Sequence, residues 1–153
     1  IQFRDITPLL ANGPLFKRAI STLADRYRSE KPDRIVAVES RGLILGAALA
    51  YDLGVGMVPV RKPGKLPYKT HNASYVLEYG EDVLEMHQDA LSTGERVIIV
   101  DDLLATGGTL GAATRLVEQC GASIAEAVFL LELMDLGARE RFNNYPLVSL
   151  IQI

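Results

Sequence analysis

The chain has 153 residues, 48% of them apolar, a net charge of -3 and a pI near 5.4. That length suits one compact domain, residues 1–153, with a substantial core. The acidic balance argues against a protein that grips nucleic acid through a broad basic face, and leaves one local cationic cluster, Arg61 to Lys69, for a small anion.

The single cysteine, Cys120, has no internal disulfide partner and reads as a buried core thiol in a reducing, cytoplasmic setting. No run reaches the length of a membrane span and no charged-then-apolar leader is recognisable; both ends, at Ile1 and within Leu147 to Ile153, look trimmed.

From Pro14 to Lys31 the apolar residues Phe16, Ala19, Ile20, Leu23, Ala24 and Tyr27 recur at helical spacing, which predicts an amphipathic helix stopped by Pro32. Arg34 to Glu39 reads as a short apolar strand ending on a polar residue. Gly42 to Leu53, apolar and small, predicts a buried helix ended by Gly54, and Met57 to Val60 the next strand. Residues 61 to 73 hold three prolines or glycines and five basic or imidazole side chains without apolar periodicity. They predict a long loop, either functional or simply solvated.

Ser74 to Tyr79 and Val83 to His87 suggest a hairpin around Gly80. Arg96 to Asp101, with the β-branched run Val97 to Val100, is the clearest strand and reads as buried on both faces. Gly108 to Gly121 predicts a helix, Ile124 to Leu133 a buried strand, Asp135 to Phe142 a short helix and Leu147 to Ile151 a last strand. This alternation predicts an α/β fold, a central mostly parallel sheet with helices on both faces.

Ligands of open parallel sheets bind at the carboxyl ends of strands, so the stretch Val97-Ile-Ile-Val-Asp-Asp-Leu-Leu-Ala-Thr-Gly-Gly-Thr109 is the most informative in the chain. A buried strand delivers Asp101 and Asp102, and a turn of small residues then opens a helix. Thr106, Gly107, Gly108 and Thr109 can surround a phosphate with amides and hydroxyls at a helix N-terminus. The two carboxylates would repel a polyphosphate, but they suit a vicinal diol and hydrated magnesium. Together these parts describe a ribose 5-phosphate site. No Gly-Lys-Ser/Thr ending and no G-x-G-x-x-G is present, which excludes a nucleoside-triphosphate loop and a dinucleotide fingerprint.

Residues 97 to 109 resemble the phosphoribosyl pyrophosphate signature of type I phosphoribosyltransferases, and the form VDDLLATGGT resembles the adenine-specific members. Phe3-Arg4-Asp5-Ile6, Glu39-Ser40-Arg41-Gly42, the run Val60 to Pro67, Leu77-Glu78-Tyr79-Gly80 and Leu131-Glu132-Leu133 extend the resemblance over nearly the whole chain. It implies the family's sheet fold with a small hood from the N-terminal segment and a mobile loop. The activity it implies is transfer of a phosphoribosyl group to adenine, giving AMP and pyrophosphate in purine salvage, with Mg2+.

By the same resemblance, Glu78 is the acid/base group, with Tyr79 beside it, although a lone glutamate there would otherwise read as an ordinary strand carboxylate. Arg41 after Ser40, together with Arg61, Lys62 and Lys65, would receive the pyrophosphate. Asp101 and Asp102 would hold the diol, and magnesium through substrate or water. Ala105 to Thr109 would hold the 5-phosphate. Phe3, Arg4, Leu103 and Leu133 would form the purine slot, unless the two leucines are simply core.

The family often has a cis peptide at Glu39-Ser40, and its 6-oxopurine members usually carry an aspartate where Ala105 stands. Pro63 to Ser74 would close over the site, and a homodimer is implied. His71 and His87 lack any metal-site spacing and read as surface or loop histidines. Three alternatives remain. One is a transferase for hypoxanthine, guanine or xanthine. Another is a regulator that senses phosphoribosyl pyrophosphate, which should carry a DNA-binding element. The last is a magnesium phosphatase or receiver domain.

Overall fold

The computed structural model describes residues 4–77 and 79–153. Two helices, α1 (Thr7–Ala11) and α2 (Gly13–Tyr27), lead into strand β1 (Arg34–Val38), helix α3 (Arg41–Leu53) and strand β2 (Gly56–Val60). A hairpin of β3 (Thr70–Leu77) and β4 (Gly80–His87) follows, then β5 (Arg96–Leu104), α4 (Gly108–Gln119) and β6 (Ser123–Glu132). A 3-10 turn (Met134–Leu136), α5 (Ala138–Arg141) and β7 (Leu147–Gln152) complete the chain.

Five strands pair in the order β2-β1-β5-β6-β7, all parallel. The central strands are apolar on both sides because both faces are covered. Ile35, Ile98, Val100, Val128 and Leu130 pack with Leu45 and Leu49 of α3 and with the inner stripe of α2. Val36, Val38, Val97, Ile99 and Phe129 pack on the other side with Leu110 and Leu116 of α4 and with Leu84 and Met86 of the hairpin. The expected fold class is therefore present, with the second face shared between α4 and the hairpin. Residues 1–3 of the expected hood lie outside the described residues, but Ile6 is buried in the α2–α3 cluster.

Several expected boundaries are corrected. Helix α2 stops at Tyr27, well short of Pro32, because Tyr27 is the last residue of the buried stripe and Arg28 to Lys31 offer nothing apolar to cover. The basic loop ends at Lys69: Thr70 to Ala73 belong to β3, where pairing with Leu84 to His87 satisfies their backbone although their side chains lack an apolar pattern. His71 consequently lies on β3 rather than in the loop, while His87 ends β4 as expected, its ring meeting Tyr68 edge-on at 6.0 Å. The expected helix from Asp135 to Phe142 is split at Gly137, whose φ of 64° is left-handed. Cys120 caps α4 and is only half-buried, with burial raising its thiol pKa.

The main polar group in the core is Glu132, 2% exposed. It accepts from Arg139 Nε at 3.0 and 2.9 Å and from Ser149 Oγ at 2.5 Å, and Arg139 Nη1 donates to the Leu147 carbonyl at 2.7 Å. Burial alone would raise the Glu132 carboxyl, yet Arg139 and Ser149 outweigh it and hold it below the usual range. Arg139→Met leaves that carboxylate buried and unpaired, so a loss of about 3–5 kcal/mol in urea unfolding is expected. A loss below about 1 kcal/mol would contradict the burial argument.

Because the folded pKa is depressed, the stability from Glu132 is present above its unfolded value of about 4.3 and is lost as pH falls through the lower folded value.

Candidate active site

The chain passes from β1 outward to β2 on one side, whereas β5 leads to β6 and β7 on the other. The carboxyl ends of β1 and β5 therefore flank the crevice where winding reverses, the usual ligand position in such sheets. β1 delivers Glu39, Ser40 and Arg41; β5 runs on through the acids to Leu104, with Leu103 and Leu104 still paired to Leu131 and Glu132. The Glu39-Ser40 peptide is cis. Ser40 caps α3 without a side-chain hydrogen bond, and its hydroxyl group is exposed with the rest of the residue.

Arg41 spans the crevice. Its Nε donates to Asp102 Oδ2 at 2.6 Å, and Asp102 is 6% exposed. Asp101 Oδ1 accepts the Asp102 amide at 2.8 Å and lies against Gly42, where a Cβ would come within 2.8 Å of that oxygen. Burial, and then the neighbouring Asp102 charge, push the Asp101 carboxyl well above the ordinary carboxylate range. The adjacent acids thus differ: Asp102 is ion-paired with Arg41, and Asp101 holds its proton more tightly than an ordinary carboxyl.

Ala105 to Leu110 line a cavity of about 190 Å³ together with Arg41, Asp101, Asp102, Leu103 and Phe129. Gly107, at φ 91°, is the N-cap of α4 and has no side chain to cap it; the Gly108 amide makes only a long contact, 3.5 Å, to Thr106 Oγ1, so the helix start can still turn amides toward a ligand. A second cavity of about 800 Å³ lies between β3 and α4, and Thr106 to Thr109 line both.

Three cations of the basic loop, Arg61, Lys62 and Lys65, are held by carboxylates. Glu39 accepts from Arg61 Nε at 3.0 Å, the Lys62 amide at 3.0 Å and Lys65 Nζ at 2.6 Å, and these donors outweigh its burial and lower its pKa. The Lys62 ammonium instead turns to the hairpin. It pairs with Asp82, reaches Tyr75 Oη at 3.1 Å and stands 5.7 Å from that ring. Burial works against its charge, but Asp82 and Tyr75 raise its pKa on balance. Arg41, Arg61 and Lys65 are thus gathered around the strand ends, and Lys62 is not among them.

Leu103 and Leu133 belong to neither core cluster; both are half-exposed at strand ends, Leu103 in the smaller cavity and Leu133 donating its amide to the Leu104 carbonyl at 2.9 Å. Arg4 is exposed ahead of α1, and Tyr79 is 91% exposed at the hairpin turn. Phe3 and Glu78 lie outside the described residues. Among the described residues, no group of three or more His, Cys, Asp or Glu side chains forms a metal cluster, and no helix is long and apolar enough to cross a membrane.

Glu39 as the anchor of the basic loop, and Asp82 with Tyr75 as the partners of Lys62, were not read from sequence. The polar residue ending the first strand was a usable signal for Glu39; nothing local marked Asp82.

The Phosphoribosyl transferase domain family matches residues 6–152. An adenine phosphoribosyltransferase of Roseiflexus sp. (strain RS-1) is 58% identical over 152 residues, covering 99% of this chain and 88% of the relative. The crystal structure of adenine phosphoribosyltransferase from Thermoanaerobacter pseudethanolicus superposes with a TM-score of 0.96 at 51% identity, covering 100% of this chain and 89% of that one. The Saccharomyces cerevisiae enzyme, complexed with D-2,5-dideoxy-2,5-imino-altritol 1,6-bisphosphate and adenine, gives 0.93 at 44% identity, with 98% and 87% covered. With the family match spanning residues 6–152 and these relatives matching nearly the whole chain, the chain belongs to the phosphoribosyltransferase family, among its adenine phosphoribosyltransferases.

Proposed function

We propose that the chain transfers the 5-phosphoribosyl group of phosphoribosyl pyrophosphate to adenine, forming AMP and releasing pyrophosphate. The observation that carries this reading is the acid pair of β5 and the small-residue turn at the N-terminus of α4, inside one cavity with Arg41. In this reading Ala105 to Thr109 take the 5-phosphate, Asp101 and Asp102 the ribose diol, and the site positions the sugar without altering its bonds.

The charge that builds on the leaving pyrophosphate is met by Arg41, Arg61 and Lys65, which exchange their carboxylates for phosphate oxygens. Lys62 joins them only by leaving Asp82. Adenine lies between Phe3 and Arg4 on one side and Leu103 and Leu133 on the other. Glu78, with Tyr79 beside it, manages the purine proton. Ala105 offers no carboxylate to a 6-oxopurine, which favours adenine.

The donor set fits magnesium held through substrate and water: two neighbouring carboxylates, one of them already engaged by Arg41. When bound, the ion adds positive charge where the pyrophosphate departs. We also infer a homodimer, supported by the outer face of α3, where Ile44 is 47% and Tyr51 91% exposed. The cytoplasm, where a lone thiol persists, is the proposed location.

The test mixes the protein with phosphoribosyl pyrophosphate, magnesium and adenine, and follows products by mass and phosphorus resonance. AMP and pyrophosphate should appear in equal amounts, and Glu78→Gln should slow their formation by about a hundredfold or more. Consumption of phosphoribosyl pyrophosphate without AMP would refute the proposal.

A further inference from the structure

The 5-phosphate turn is not held by its own helix alone. Arg141, on α5, donates from Nη1 to the Thr106 carbonyl at 2.6 Å and from Nη2 to the Leu136 carbonyl at 3.1 Å. Its neighbour Phe142 presses on the same turn from below: a Cβ on Gly107 would come within 2.5 Å of Phe142 Cε2, and one on Gly111 within 3.5 Å of Cζ. Gly111 is one helical turn on and donates its amide to the Gly107 carbonyl at 2.9 Å, so the ring spans the first turn of α4.

Because carbonyl and amide of a trans peptide point in opposite directions, fixing the Thr106 carbonyl toward Arg141 also turns the Gly107 amide away from it. The bracket itself is anchored, since Arg139 of the same short helix is locked to the buried Glu132 of β6.

We infer that Arg141 and Phe142 are positioning residues for the 5-phosphate: they set the orientation of the Thr106–Gly107 amides and thereby the affinity for phosphorylated ribose, without touching the substrate's reacting atoms. This rests on the assignment of the turn to the 5-phosphate made above. Arg141 is exposed, so its replacement removes the clamp and little packing. Phe142→Leu keeps apolar volume but gives up the flat contact under Gly107.

Calorimetric titration of AMP and of pyrophosphate with magnesium, on the wild type, Arg141→Ala, Arg141→Lys and Phe142→Leu, separates the cases. AMP, which carries the 5-phosphate, should bind about tenfold more weakly to Arg141→Ala and Phe142→Leu, the size expected for one charge-assisted hydrogen bond. Pyrophosphate affinity should change by less than about twofold, and Arg141→Lys, which can still donate to one carbonyl, should recover part of the loss.

Equal AMP affinity in wild type and variants, or parallel weakening of both ligands with a lowered melting temperature, would overturn the inference while leaving the functional reading intact. A wild type that binds pyrophosphate but no AMP would overturn the reading and the inference together.

Discussion

Replacing Gly107 by alanine is expected to lower kcat/KM for phosphoribosyl pyrophosphate by at least about a thousandfold while the sheet still folds. Two effects combine. A residue with a side chain at φ 91° is strained, at about 1–3 kcal/mol. The new methyl would also stand 2.5 Å from Phe142 Cε2, so either the ring or the turn must move. Overpacking of this kind adds about 1–3 kcal/mol more. Movement of the turn displaces the amides of α4 from the phosphate, and misplacement by about 1 Å is worth about a hundredfold in rate. Steady-state kinetics with varied phosphoribosyl pyrophosphate tests this, with circular dichroism as the check on folding. A variant with kinetics within about tenfold of wild type would show that the turn does not hold the phosphate.

The second large effect is expected at Asp101→Asn, where activity and stability should move in opposite directions. Burial and the Asp102 charge disfavour the ionised Asp101 carboxyl in the folded chain. Its folded pKa is therefore above its unfolded value, so ionisation works against the fold once pH exceeds that unfolded value, and the penalty is relieved as pH falls through the folded one. A neutral asparagine removes the penalty at pH 7, and the melting temperature should rise. It is also a poorer acceptor for a ribose hydroxyl than a carboxylate, so turnover should fall by about a hundredfold or more. A variant that melts lower than wild type would contradict the account of the acid pair; unchanged turnover would remove Asp101 from the diol site.

Much of this architecture was legible because it is written in contiguous segments. Val97 to Thr109 places a two-sided buried strand, two acids and a helix start next to one another, and the structure keeps them in that order along β5 and α4. The periodic stripe of α2 likewise survives as a buried face, whereas α3, expected as a buried helix, leaves Ile44 and Tyr51 exposed on its outer side.

What could not be read depends on partners far apart in the chain. Thr70 to Ala73 look like loop until β4 supplies their hydrogen bonds. Lys62 looks like a free cation until the hairpin brings Asp82 to it, and Glu39 looks like a strand terminus until Arg61, Lys62 and Lys65 fold back on it. The short helix bearing Arg141 is too brief and too polar to announce that it braces the phosphate turn. Glu78 and Phe3 lie outside the described residues, and their roles are those proposed above on family resemblance.

The central claim, adenine as the accepted base, is tested most directly by competition. Equal amounts of adenine, hypoxanthine and guanine are offered with phosphoribosyl pyrophosphate and magnesium, and the nucleotides are identified by mass. The account predicts AMP alone. Inosine or guanosine monophosphate as the main product would contradict the specificity drawn from Ala105, and binding of phosphoribosyl pyrophosphate with no base consumed would contradict the transferase itself.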